Sequence, residues 1–400
     1  MKSINNKSKF KVWEKQDKNK TQIKTNDATR LVENYKDCTT QCDSQSRIKL
    51  GRQRDNKELL SDKINCVKRE PSCNALYNKS RVPSYCDRVI YEHSKNIKVQ
   101  NIRYESKYVE KIATTDHAIT YFCATLDISG KKLKILYITF NQGGNQYPAA
   151  TIIDIIDKSI QASKLTGSES KDNSYRNITN FDVIIICQQE TGRNDTLYKD
   201  LQNELNMKNN YSFNTYKGLP INNFYVRLSI FVKKEFFNLS VNAKPSLIKS
   251  ECINIACTKS YVGIVLDLNI SKFEIVRLNV FGCHLPISFS PKDLGLGYGE
   301  RIRALIEILK TIKEIINKPM TAGKYPDHHF SIIGGDLNFR IELDHNIDQL
   351  QLAMNIDKNK SLQNYFRSIV GVNYEKQVDY FKGWIEENIN FIPTCKLNNI

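Results

Sequence analysis

Residues 330–340 read Phe-Ser-Ile-Ile-Gly-Gly-Asp-Leu-Asn-Phe-Arg. The apolar start predicts a buried strand, and the glycine pair predicts its tip. Asp336 and Asn338 stand two apart, so on a continuing strand both side chains point the same way. A carboxylate there can activate water, and an amide beside it can donate to a phosphate oxygen. Gly, Asp and Asn are also ordinary turn residues. The stretch therefore gains meaning from what surrounds it.

Other β-rich runs lie at Leu133–Phe140, Val183–Cys187, Phe224–Val232, Gly263–Leu268 and Phe273–Cys283, with a strand-like Ala118–Cys123 before them. Helical periodicity fills the gaps. Ile152, Ile153, Ile155, Ile156 and Ile160 share one face, as do Ile302, Leu305, Ile308, Leu309 and Ile312. Strands interleaved with helices predict an α/β (α+β) sandwich without internal repeats. Asp127-Ile-Ser-Gly130 suits a hairpin turn between two strands.

The chain has 400 residues, 40% of them hydrophobic, enough for a substantial core. Its net charge of +16 points to anionic partners: phosphorylated small molecules, membrane headgroups or nucleic acid. Residues 1–70 contain 18 Lys+Arg against 10 Asp+Glu, and residues 1–74 read as a basic, disordered extension ahead of one folded domain over 75–400. Eleven scattered cysteines without zinc-site spacing read as reduced thiols of a cytoplasmic protein. No apolar run approaches a membrane span, so any membrane contact is expected to be peripheral.

Several strand ends carry polar groups. Ile186-Cys187-Gln188-Gln189-Glu190 ends a buried strand in a carboxylate suited to Mg²⁺. Cys187 to Arg193 also has the spacing of cysteine phosphatases. We reject that reading, because Glu190 would stand inside an anion cradle. Among six histidines, His284 ends one strand and His117 precedes another. Asp87, in Tyr85-Cys86-Asp87-Arg88, offers an orienting carboxylate for one of them.

Together these segments resemble the inositol polyphosphate 5-phosphatase family, over about residues 76–397. In the family's order the similarity begins at Thr139-Phe140-Asn141. It passes through Gln189-Glu190, Phe224–Lys234, Lys259, His284-Leu285 and Gly335–Arg340. It ends at Gly383-Trp384-Ile385-Glu386 and Pro393-Thr394-Cys395-Lys396. The family's closing motifs stand near the start instead, as Lys79–Arg88 and Thr115-Asp116-His117. The resemblance thus implies a circularly permuted, deoxyribonuclease-like fold. This is a four-layer sandwich of two packed mixed sheets flanked by helices, in which the 127–132 turn joins the family's last and first strands.

The resemblance also implies roles. Glu190 would hold Mg²⁺, with Asn141 and Asp116 beside it. Asp336 would position or deprotonate the attacking water. His117, oriented by Asp87, would contact the scissile phosphate, and Asn338 and His284 its oxygens. Lys259 and Lys396, with Arg81 and Arg88 behind them, would hold further phosphates. The implied activity is removal of the 5-phosphate from phosphoinositides or soluble inositol polyphosphates by a monomer that binds no nucleic acid. Two alternatives stand beside it: a nuclease or other phosphodiesterase of the same fold, and a lipid-binding pseudophosphatase. The chain departs from the family pattern at Ile333, Arg301-Ile302, Thr258-Lys259-Ser260, Cys395 and Pro83-Ser84-Tyr85. None of these removes an implied metal ligand or the Asp–His pair.

Overall fold

A computed structural model describes residues 86–107, 115–144, 149–162, 178–191, 211–217, 225–238, 246–252, 259–271, 274–286, 294–319, 325–338 and 381–387, and the single residues 200, 203, 389 and 394. The proposed extension, Arg81, Lys79, Phe339, Arg340 and Lys396 lie outside the described residues.

Two mixed sheets pack face to face. The first has five strands: β1 (Asp87–His93), β8 (Ser246–Cys252), β9 (Ser260–Asn269), β10 (Ile275–His284) and β11 (His328–Asp336), in spatial order β1-β11-β10-β9-β8. The second has six: β2 (Ile97–Lys107), β3 (Ile119–Ile128), β4 (Lys131–Asn141), β5 (Val183–Thr191), β6 (Tyr211–Lys217) and β7 (Tyr225–Lys233), in order β2-β3-β4-β5-β7-β6. Parallel pairing is confined to β10 with β11 and β4 with β5; the other ladders are antiparallel.

The layers follow from strand alternation. Leu126, Ile185, Leu228, Leu266, Val280 and Ile332 fill the space between the sheets. The opposite faces are covered by α1 (Ala149–Ala162), through Ile152, Ile153, Ile156 and Ile160, and by α3 (Leu294–Ile316), through Leu305, Ile308, Leu309 and Ile312. Burying each such side chain contributes about 1.5–3 kcal/mol. A short α2 (Lys234–Asn238) follows β7. Arg277 ties α3 to the sheet: it pairs with Asp267 and donates to the carbonyls of Ile315 (2.8 Å) and Lys318 (2.7 Å). It thereby satisfies acceptors at and just beyond the helix end. The result is the expected four-layer α/β/β/α sandwich. Among the described residues no helix is long and apolar enough to cross a membrane.

The 127–130 segment is a tight turn between antiparallel β3 and β4. Ser129 (φ 50°) and Gly130 (φ 82°) are both left-handed, as a type I′ hairpin requires, and Gly130 N–H donates to Asp127 Oδ1 at 3.1 Å.

The apolar pattern underestimated the sheets. β1, β2, β6 and β8 were not expected, because they lack a sustained run of apolar or β-branched residues. β1 is an edge strand that draws on distant residues. Its outward N–H groups are met by Thr394 Oγ1 (to Asp87, 3.1 Å), the Tyr104 hydroxyl (to Val89, 3.1 Å) and the Ile385 carbonyl (to Tyr91, 2.9 Å). An edge that would otherwise invite foreign pairing is thus closed by the chain's own C-terminal segment.

Candidate active site

The register of the five-stranded sheet places its polar residues in one row. Asp87 on β1 faces Asp336 on β11, and Asp336 faces His284 on β10. Residues at one end of the other sheet meet this row across the sandwich: Asn141 at the end of β4, Glu190 near the end of β5, and His117 just before β3. His284, Asp336, Asn141 and Glu190 lie at the carboxyl ends of the parallel pairs, where α/β sheets commonly place ligands.

Asp336 Oδ2 is the hub. Asn141 Nδ2 donates to it at 3.2 Å, His284 Nε2 lies at 3.2 Å and His117 Nε2 at 3.9 Å. The His117 ring is fixed from behind, with Nδ1 2.8 Å from Asp87 Oδ2. Asp116 Oδ1 lies 3.6 Å from His117 Nε2, and Glu190 Oε1 lies 3.6 Å from His284 Nε2. Lys259 Nζ is in hydrogen-bond contact with His284 Nε2. Residues some 250 positions apart therefore share one polar cluster.

Local backbone strain aims two of these groups. Glu190 is left-handed (φ 51°) within an irregularity of the β5–β7 ladder between Gln188 and Thr191. A carboxylate-bearing residue in that conformation costs about 1–3 kcal/mol, and such costs concentrate at functional sites. Its side chain keeps 29% exposure, while Asp336 keeps 2%. Gly335 (φ 143°) permits the close approach of β11 to β10, where an added Cβ would lie 2.0 Å from the Cys283 carbonyl oxygen.

Asn338 requires a correction. The strand ends at Asp336, and Asn338 lies past it in a left-handed turn (φ 53°) rather than on a continuing strand. Its N–H turns back to Asp336 Oδ1 (3.1 Å), and its amide Nδ2 donates to the Leu285 carbonyl (2.9 Å). Asn338 thus braces the exit of the His284 strand. Arg88 is not brought to the cluster. Alternation along β1 turns it to the face opposite Asp87, where it donates to Glu386 at 2.9 Å.

The electrostatics separate the two histidines. Burial pulls His117 down, but Asp87, Asp336 and Asp116 outweigh it and raise it to about 10. Burial and the Lys259 ammonium lower His284. The cluster therefore favours the charged form of His117 and the neutral form of His284, so like residues stand in unlike environments. Burial raises Asp87 to about 6 against the opposing pull of His117. Burial would raise Asp336 as well, but the His284 hydrogen bond and the His117 and Lys259 charges hold it well below the usual carboxylate range. Cys187 is fully buried and pushed up to about 11 by that burial, so it supplies no thiolate.

The donor set suits a hard cation. Asp87, Asp116, Glu190 and Asp336 bring carboxylate oxygens to the cluster, the donor type that hard divalent ions take. Among the described residues no three His, Cys, Asp or Glu side chains are grouped as ready-made ligands.

The model of endonuclease/exonuclease/phosphatase family 2 matches residues 138–400, more than half of the chain. The chain belongs to that family. The match starts inside β4, just beyond the hairpin, so β1 to β3, with Asp87 and His117, precede it. No curated protein matches the chain. Among solved structures, the chain is similar to humanized D. rerio TDP2 (15% identity, 52% of this chain and 63% of that one, TM-score 0.29). It is also similar to the inositol polyphosphate 5-phosphatase domain of SPsynaptojanin with inositol (1,4)-bisphosphate and calcium (16% identity, 50% and 54%, TM-score 0.30). A third is ANGEL2, a 2′,3′-cyclic phosphatase (13% identity, 54% and 51%, TM-score 0.27). The chain spans less than two thirds of each, and scores this low decide nothing about activity. Members of this family are hydrolases.

Proposed function

We propose that this protein is a magnesium-dependent phosphomonoesterase that removes the 5-phosphate from phosphoinositides or soluble inositol polyphosphates. The observation that carries a phosphoryl-transfer reading is the meeting of Asp336 with the Asp87–His117 pair, Asn141, His284 and Lys259 in one polar cluster. The choice of an inositol phosphate over a nucleic acid is supported by the sequence resemblance, in which Lys259 and Lys396 occupy positions for ring phosphates.

Each residue has a task its geometry supports. Asp336, held by Asn141 and kept strongly acidic, is a poor proton acceptor. It acts by fixing the orientation of the attacking water rather than by removing its proton at the outset. The His117 imidazolium, anchored through Nδ1, presents Nε2–H to the developing charge on the phosphoryl oxygens. Lys259 and neutral His284 line the opposite side and position phosphate. Glu190 and Asp116, with Asn141, would hold Mg²⁺, whose chemistry is to neutralise phosphoryl oxygen charge. No covalent enzyme intermediate is needed.

The test compares magnesium-dependent phosphate release from phosphatidylinositol 4,5-bisphosphate and from inositol polyphosphates with nicking of plasmid DNA. Phosphate release without nicking is the expected result. Nicking without phosphate release would assign a nuclease. Lipid binding with neither activity would assign a pseudophosphatase.

A further inference from the structure

Asp87 and His117 form a close, buried polar contact within the cluster, yet they belong to different sheets. Asp87 starts the edge strand of the five-stranded sheet, and His117 leads into β3 of the six-stranded one. A 2.8 Å hydrogen bond between them depends on how the two sheets are held at that corner. Thr394 lies between them and is fully buried. Its Oγ1 accepts the N–H of Asp87 at 3.1 Å, across 307 positions of chain. Its carbonyl accepts the N–H of Ala118, the residue after His117, at 2.7 Å. One residue therefore binds the backbone of Asp87 in one sheet and of the residue that follows His117 in the other.

The remaining contacts make this clamp specific. On its other side the His117 segment is tied to β4, where Thr115 Oγ1 donates to the Asn141 carbonyl at 2.7 Å and accepts the His117 N–H at 3.3 Å. Those bonds fix His117 relative to its own sheet and leave Asp87 unaddressed. The hydroxyl proton of Thr394 is still available after Oγ1 has accepted from Asp87, and this hydroxyl also helps lower the Asp87 carboxyl. Among the described residues Asp87 Oδ1 is buried without a hydrogen-bond partner.

We propose that Thr394 is a positioning residue: its hydroxyl and carbonyl lock the Asp87–His117 pair across the two sheets and hold the imidazole toward Asp336. Its catalytic consequence rests on the phosphatase reading above; its structural consequence does not. Asp87 and Thr394 are 307 positions apart, so chain connectivity does not bring them together.

The experiment uses the full-length protein with Thr394→Val, Thr394→Ser and Thr394→Ala. Without substrate, the His117 Nδ1 proton should give a downfield ¹H NMR resonance, identified by its loss in Asp87→Asn. Wild type and Thr394→Ser should retain it, while Thr394→Val and Thr394→Ala should shift or lose it. With substrate, Thr394→Val should lower kcat about tenfold or more at unchanged KM, as expected for loss of an outer orienting partner. It should add little in an Asp87→Asn background. Should Thr394→Val fail to fold, the pair Thr394→Ser and Thr394→Ala decides, since both lose the methyl group and only Ser keeps the hydroxyl. Equal behaviour of Ser and Ala, or an unaltered resonance in Val, overturns the proposal. A wild type without phosphatase activity ends the functional reading instead and leaves the resonance comparison standing.

Discussion

Two regions of this molecule use the same unusual backbone conformation for different ends. At the β3–β4 turn, Ser129 and Gly130 are left-handed and exposed, and an added Cβ at Gly130 meets nothing within 4 Å. At the opposite end of the sandwich, Glu190, Asn338 and Gly335 also have positive φ, but Asn338 is buried and Gly335 is packed against the Cys283 backbone. The turn reverses the chain. The site spends its strain on aiming a carboxylate outward and an amide back. Strain in the open turn concerns connectivity alone; strain among buried charges is tied to chemistry.

The sharpest way to sharpen this contrast is Asp336→Asn. It preserves shape and should lower magnesium-dependent phosphate release by about 10²–10⁴-fold, while circular dichroism stays native. Next comes a matched pair. Gly335→Ala forces Cβ against the Cys283 carbonyl and should destabilise by on the order of 3 kcal/mol or more, which chemical denaturation would register. Gly130→Ala, with open space around it, should cost only the left-handed penalty of about 1–2 kcal/mol. Equal costs would break the comparison.

A smaller effect should appear in the pH dependence of stability, measured in a chelator. His117 is raised to about 10 in the folded protein. Its contribution to stability is therefore complete below its unfolded value of about 6.5 and is lost as pH rises through about 10. Asp87, itself raised by burial, offsets part of the gain near neutrality. Asp87→Asn should flatten the alkaline decline; an unchanged decline would place its origin elsewhere. The smallest effect is Ser129→Gly beside Glu190→Gly. Both relieve a left-handed residue and should change stability by less than about 1 kcal/mol. Only the second should lose phosphate release.

Much of the scaffold could be read locally. The runs around Ile135, Ile185 and Val280 became buried strands, the two isoleucine-rich faces became helices packed on the sheets, and Asp127–Gly130 became a hairpin. The polar strand ends were also legible, because Asp336, Glu190, His284 and Asn141 each terminate an apolar run. The weakly apolar β1 and β2 were not legible. Nor was the turn at Asn338, since the same residues fit a strand or a left-handed bend, and its bonds to the Leu285 carbonyl and Asp336 Oδ1 form only in the folded sheet.

The sequence by itself determined which polar side chains would stand at strand tips, since alternation and turn propensity act over a few residues. Only the tertiary structure decided that Asp87 faces Asp336, that Arg88 turns away to Glu386, that the two histidines differ in charge, and that Thr394 joins the two sheets. Those outcomes depend on strand register, burial and electric fields set by partners hundreds of positions away, and no local pattern encodes them.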